Sequence, residues 1–192
     1  MPDPQEFVTD ISGFIGRQSL SQFYQTQGTY IQRLAEQAAT LTAEATSRNE
    51  GGMTNANLKQ YYSDVSKTAL YTNVVLIDDS GSMKKHDPER IPLLKKAMER
   101  IISIATTFDT EGVHVRFLNY PLRNSQVNLD GIQDLNHMRQ IWDDVEWKGG
   151  TEIGKMLSEK VIKPFVLEKA MKGELRKPVL VSIITDGQVR SA

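Results

Sequence analysis

Two strand-sized apolar runs, each ending in an aspartate-containing turn, constrain the fold of this chain more than any other feature. The first run, VVLI at residues 74–77, is followed by Asp-Asp-Ser-Gly-Ser, and the second, PVLVSIIT at residues 178–185, is followed by Asp-Gly. Continuous apolar runs of this length, bounded by turn residues, are typical of strands that are buried on both faces of a parallel sheet. A third strand is predicted over residues 112–120, where Val113, Val115 and Phe117 alternate with polar positions.

Segments with helical spacing separate these strands. A long helix is predicted after the first strand, starting near Asp87-Pro88 or Ile91-Pro92, and further helices are predicted over residues 135–145 and 151–170. Residues 126–129 could form a short edge strand. This alternation predicts an α/β fold with a doubly wound, mainly parallel sheet and helices on both faces. The predicted apolar face of the long helix contains Leu94, Met98, Ile101, Ala105 and Phe108.

The first 70 residues differ from the rest, because they are rich in Gln, Thr, Ser and Ala and show only helical periodicity. Three apolar stripes with this spacing begin at Phe7, Ile31 and Leu58, and a flexible joint containing Gly51-Gly52 separates the second from the third. We therefore predict an α-helical N-terminal extension over residues 1–70 and an α/β domain over residues 71–192.

Oxygen-bearing side chains follow the strands at the places where open α/β sheets bind ligands, beyond the carboxyl ends of the strands. Two carboxylates and three hydroxyls are available there, one of the hydroxyls on a Gly-Gly loop that opens a helix. Such a set forms a hard oxygen shell that suits Mg²⁺ or Mn²⁺. The predicted metal ligands are Asp78, Ser80, Ser82, Thr151 and Asp186.

This set of residues resembles the metal-ion-dependent adhesion site of the von Willebrand factor A (vWA) domain family. The family's Asp-x-Ser-x-Ser is present at residues 78–82, its threonine corresponds to Thr151 in WKGGTEIG, and its last aspartate corresponds to Asp186 in SIITDG. The phrases LIDDSGSM and VRFLNY are also similar to compact intracellular vWA proteins of fungi.

The resemblance implies a particular division of roles among these residues. The two serines and the threonine would bind the metal directly, and the aspartates would act largely through waters. One coordination position would stay open for an Asp or Glu carboxylate of a partner protein. The resemblance therefore implies a binding module and not an enzyme.

The family fold contains more strands than this sequence supplies, because only residues 187–192 follow the last predicted ligand. We therefore expect the vWA-like domain to be incomplete at its C-terminus, which would leave the strand ending at Thr185 as an exposed hydrophobic edge. The explanations are a truncated chain, which we favour, a partner chain that completes the sheet, or a shortened domain covered by its N-terminal helices.

Composition excludes several classes of function. The chain has no cysteine, which excludes disulfides, thiolate zinc sites and a cysteine nucleophile. Its net charge of -1 gives no reason to expect a nucleic-acid partner or an anionic membrane surface. Because no apolar run is long enough to cross a bilayer and no secretory signal is visible, we expect an intracellular, cytoplasmic protein.

Two alternatives from other classes stay open. The chain could be a scaffold whose N-terminal helices recognise the partner and whose metal is structural. The triplet Asp79-Ser80-Gly81 also matches the Asp-Ser-Gly of aspartic proteases, but such enzymes need a second aspartate turn, and Thr185-Asp186-Gly187 has the wrong order. The histidines, His86, His114 and His137, show no metal-ligand spacing, and we expect His114 to be exposed on its strand.

Overall fold

The computed structural model describes residues 2–85, 88–120 and 127–187. The chain forms two compact units. The first ends at Tyr71 and also takes in Thr107–Asp109 and Arg176–Pro178, and the second begins at Thr72 and contains the sheet.

The first unit is built on four helices: α1 (Pro4–Arg17), α2 (Ser21–Tyr24), α3 (Gly28–Ser47) and α4 (Asn55–Thr68). A short 3₁₀ turn, Glu50–Gly52, precedes α4. The apolar stripes of α1, α3 and α4 face one another, and Phe7, Leu34 and Leu58 are each at most 1% exposed. The predicted N-terminal helices are thus confirmed.

In the described residues, the second unit is organised around a parallel three-stranded sheet. Its strands are β1 (Thr72–Ile77), β2 (His114–Phe117) and β3 (Val179–Ile184), in the order β2-β1-β3. Ile77 lies opposite both Phe117 and Ile184, so the three strands end level with one another. The loops that follow them therefore meet at one edge of the sheet, on either side of the central strand.

Helices connect these strands. After β1 come α5 (Ser82–Lys85) and α6 (Arg90–Phe108), and after β2 comes α7 (Leu135–Asp144). Between α7 and β3 lies a continuous helix of three parts: α8 (Ile153–Leu157), a π-helical segment (Ser158–Leu167) and α9 (Glu168–Met171).

Helices cover both faces of the sheet. On one face Val75 and Ile77 belong to a core that contains Met98 and Ile102 of α6 and Trp142 of α7. On the other face Val74 packs with Val161 and Phe165 of the π-helical segment. The predicted α/β fold with a parallel sheet and helices on both faces is confirmed.

Several local predictions differ from the structure. Val127–Leu129 is not a strand, and Gln126 lies outside the described residues. That segment still borders β2, because Val113 forms an isolated antiparallel bridge with Ile132, and the Val115 N–H donates to the Leu129 carbonyl at 2.8 Å. The long helix α6 begins at Arg90, and Asp87 lies outside the described residues.

His114 is not the exposed strand residue that the alternation predicts. Its side chain is 17% exposed, and its ring meets the Phe165 ring edge-on with centroids 4.8 Å apart. The reason is that the π-helical segment covers the face of β2 that the alternation of apolar and polar residues assigns to solvent.

Within the described residues β3 pairs only with β1, and it carries Leu180 and Ile183 at 40% and 42% exposure. In the part of the chain that the structure describes, no helix combines the length and the hydropathy that a membrane crossing requires.

Candidate metal centre

Asp78, the first residue after β1, is fixed by three hydrogen bonds. Its backbone N–H donates to the Ile184 carbonyl at 2.9 Å, which extends the pairing of β1 with β3 by one residue. Its carboxylate accepts the Ser80 N–H at 2.9 Å on Oδ1 and the Thr185 hydroxyl at 2.8 Å on Oδ2. Because Asp78 is only 1% exposed, these contacts hold its carboxylate in one orientation.

The two serines of the turn after β1 point their hydroxyls to the same place. Ser80 is 2% exposed, Ser82 begins α5, and their hydroxyls are hydrogen-bonded to each other with the Oγ atoms 3.0 Å apart. Mg²⁺ binds oxygen at about 2.1 Å with octahedral geometry, so two neighbouring ligands of one ion lie about 3.0 Å apart. The serine pair therefore has the spacing that adjacent ligands of such an ion require.

Thr151 follows the Gly149-Gly150 loop, and this loop lies next to the serine turn. The Gly81 N–H approaches the Gly149 carbonyl at 3.5 Å. The Asn119 side chain, which follows β2, donates from Nδ2 to the Gly150 carbonyl at 3.1 Å. The structure thus brings the loop that carries Thr151 beside the turn that carries the serines.

Asp186 follows Thr185, whose hydroxyl is the donor to Asp78, so both predicted aspartates belong to adjoining turns. The Asp186 side chain is 1% exposed, and its Oδ2 lies 2.8 Å from a guanidinium nitrogen of Arg90, the first residue of α6. Arg90 supplies a positive charge to the carboxylate at this edge of the sheet.

The Asp79 carboxylate binds the loop that follows β2. Its Oδ1 accepts the Asn119 N–H at 2.8 Å and the Asn119 side-chain amide at 2.9 Å, and its Oδ2 accepts the Tyr120 N–H at 2.8 Å. Burial raises the pKa of the Asp79 carboxyl above its usual value, and the hydrogen bonds from Asn119 and Tyr120 oppose that rise. This carboxylate holds the loop that follows β2.

Lys160 of the π-helical segment binds backbone carbonyl groups of the same loop. The Lys160 ammonium donates to the carbonyls of Phe117, Leu118 and Tyr120 at 2.7, 3.0 and 3.2 Å. Burial lowers the pKa of Lys160. Asp79 and Lys160 therefore fix residues 117–120 through their N–H and carbonyl groups respectively.

Three residues near this edge have no part in the sequence prediction: Arg90, Asn119 and Lys160. Asn119 had a signal, since it is the second-last residue of the strand predicted over residues 112–120, and ligand-binding loops converge at the carboxyl ends of such strands. Arg90 and Lys160 had none, because each lies far along the chain from its partner and sequence periodicity carries no information about such pairs.

The described residues contain no group of three or more histidine, aspartate or glutamate side chains that could hold a metal ion. The predicted shell has only two carboxylates, with three hydroxyls, so it would not form such a group. Its donors are all oxygen atoms, which fits Mg²⁺ or Mn²⁺. The metal ligands stay a prediction.

A comparison with known protein families identifies the family of the α/β domain. Residues 70–192, well over half of the chain, match the family vWA-TerF-like, described as the vWA found in the TerF C terminus. No curated protein and no solved structure matches the chain. The family match spans β1, β2 and β3 and the loops that follow them, and it agrees with the vWA resemblance of the sequence. The chain belongs to the vWA-TerF-like family.

Proposed function

We propose that this vWA domain binds one Mg²⁺ or Mn²⁺ ion and, through it, an acidic side chain of a partner protein. The observation that carries the proposal is the 3.0 Å separation of the Ser80 and Ser82 hydroxyl oxygens in the partly buried turn after β1. Ser80, Ser82 and Thr151 would ligate the ion, and Asp78 and Asp186 would hold waters on it. The same residues form the adhesion site that the vWA resemblance implies.

The charges around the site favour an external anion. Hydroxyl ligands cancel none of the charge of a divalent cation, and the carboxylate of Asp186 is already paired with Arg90. The ion would therefore keep a net positive charge and attract a carboxylate into an open coordination position. The role is binding and not catalysis.

The aspartic-protease alternative gains no support from the geometry. Asp79 is fully buried, and its two carboxylate oxygens accept three hydrogen bonds from Asn119 and Tyr120. A protease aspartate must instead share a proton with a facing aspartate. Asp79 has a structural role in the loop after β2.

Direct titration of the full chain with Mn²⁺ tests the metal, since electron paramagnetic resonance distinguishes free from bound Mn²⁺. We expect one site in the wild-type protein and its loss in Asp78→Ala and Ser80→Ala. Ser158→Ala is the matched control, because Ser158 is exposed on the surface of the second unit. Unchanged Mn²⁺ affinity in both site variants would refute the proposal.

The partner chemistry is tested with an array of short acidic peptides and the metal-loaded chain. Each Asp or Glu peptide is paired with its Asn or Gln counterpart. We expect capture of acidic peptides that is lost with chelator, in Ser80→Ala and in the amide counterparts. Equal capture of the acidic peptides and of their amide counterparts would contradict the proposed open coordination position.

A further inference from the structure

The Asn119 side chain connects two loops that carry predicted metal ligands. Its Nδ2 donates to Asp79 Oδ1 at 2.9 Å and to the Gly150 carbonyl at 3.1 Å. Both partners are acceptors, so the two amide hydrogens are used and the orientation of the amide is fixed by its chemistry. Neither an aspartate nor an aliphatic side chain could make this pair of contacts.

The two contacts end next to the predicted ligands on either side. Asp79 stands between Asp78 and Ser80, and Gly150 immediately precedes Thr151. The direct hydrogen bond between these loops, from the Gly81 N–H to the Gly149 carbonyl, is long at 3.5 Å. The Asn119 amide, with its shorter contacts, is the better-defined connection between the serine turn and the threonine loop.

Close packing at Gly149 shows how tightly the threonine loop lies on Asn119. A Cβ atom at Gly149 would come within 2.3 Å of Asn119 Oδ1 and 2.6 Å of its Cγ. The backbone of Gly149 also has φ +99°, which favours glycine. The chain therefore approaches the amide as closely as the absence of a side chain permits.

The backbone around Asn119 is fixed by hydrogen bonds. Asp79 binds the Asn119 and Tyr120 N–H groups at 2.8 Å, and Lys160 binds the Leu118 carbonyl at 3.0 Å. The amide is thus presented from a fixed backbone, as the outer partners of metal ligands commonly are.

We propose that Asn119, held by Asp79, is a positioning residue that places the Thr151 hydroxyl in the metal centre. The inference rests on the proposed metal-binding function. Asn119 acts by ordering the threonine loop before the ion arrives, so that the ion does not have to order residues 149–151 itself. Losing such an outer partner typically costs tenfold or more in metal affinity, and we expect a loss of about tenfold for Asn119→Ala.

The test is a double-mutant cycle on Mn²⁺ affinity with the full chain, using Asn119→Ala, Thr151→Ala and the double variant. If Asn119 acts through Thr151, its substitution costs about tenfold in the wild-type background and almost nothing once Thr151 is alanine. Asn128→Ala is the control, because Asn128 is an exposed loop residue whose amide oxygen accepts the nearby Asp130 N–H. We expect wild-type affinity there.

A second variant and a metal-free readout separate positioning from general loss of stability. Asn119→Ser keeps one donor for Asp79 but is too short to reach Gly150 as well, so we expect a folded protein with the weakened affinity of the alanine variant. In chelator, amide hydrogen exchange at Gly150 and Thr151 should be faster in both variants than in the wild-type protein.

Three results would overturn the inference. Unchanged affinity in Asn119→Ala, or losses that simply add in the double variant, would do so while leaving the metal function intact. No Mn²⁺ binding by the wild-type chain would instead remove the proposed function together with this role of Asn119.

Discussion

Single residues at the carboxyl edge of the sheet combine two kinds of constraint. Gly149 needs a positive φ of 99° and must also admit the Asn119 amide, whereas Gly150 has neither a positive φ nor any atom within 4 Å of the Cβ position. A side chain is therefore strained at Gly149, whereas the backbone and the surroundings of Gly150 can accept one.

The difference predicts opposite outcomes for the same substitution. Gly149→Ala should lower the free energy of unfolding by about 2 kcal/mol, because a side chain is strained at this φ and would displace Asn119. Gly150→Ala should change it by less than about 0.5 kcal/mol. Urea unfolding of both variants measures the difference, and equal losses would contradict the close approach.

Asp130 provides a prediction about pH. Its carboxylate lies 2.8 Å from His114 Nδ1 and 2.7 Å from Arg116. The hydrogen bond from His114, with the help of Arg116, lowers the pKa of Asp130 from 3.8 to about 2. A carboxyl whose folded pKa is depressed stabilises the fold above its unfolded pKa and loses that contribution as the pH falls through its folded pKa.

We therefore expect the stability difference between wild type and Asp130→Asn to shrink as the pH falls from about 4 towards 2. Thermal unfolding across this range measures it, and a carbon-13 titration of the Asp130 carboxyl reports its pKa directly. A titration midpoint near 4 would show that the ion pairs do not persist in solution.

At the scale of elements, the helix between residues 153 and 171 closes the second face of the sheet. Phe165 is 4% exposed, belongs to the core around Val74, and lies beneath the Arg116 guanidinium at 4.8 Å. Leu167 in the same π-helical segment is 50% exposed. The side of this segment that contains Phe165 therefore packs against the sheet, whereas the side that contains Leu167 faces solvent.

Phe165→Ala should destabilise the second unit by about 3–5 kcal/mol, because it leaves a cavity between helix and sheet. Leu167→Ala is the matched control and should cost less than about 0.5 kcal/mol. Chemical denaturation monitored by tryptophan fluorescence distinguishes them. A small effect of Phe165→Ala would mean that the segment does not pack on β1 as described.

The strands and helices also show which features could be predicted from the sequence and which could not. The strands were predictable because apolar runs at residues 74–77 and 178–185 end at turn residues, and their parallel pairing follows from the helices between them. The burial of His114 was not, because alternation along β2 says nothing of a helix that covers its second face. The two partners of the Asn119 side chain were not predictable either, since they lie 40 and 31 residues away along the chain.

At the scale of the whole molecule, the two units can be observed separately. Both tryptophans, Trp142 and Trp147, lie in the second unit, and their rings are stacked with centroids 6.1 Å apart. Trp142 is only 6% exposed. Tryptophan fluorescence therefore reports the unfolding of the unit that carries the predicted ligands and not that of the N-terminal helices.

This optical separation allows the metal proposal to be tested on stability. A ligand that binds only the native state stabilises it by about 2.7 kcal/mol at a concentration 100 times its Kd. For a chain of this size that corresponds to a rise in Tm of about 5–10 °C. We expect Mg²⁺ to raise the fluorescence-detected Tm of the wild-type chain and of Ser158→Ala relative to chelator, and to leave that of Ser80→Ala unchanged. Equal shifts in all three proteins would mean that Mg²⁺ acts on the chain generally, without the oxygen site at the end of β1.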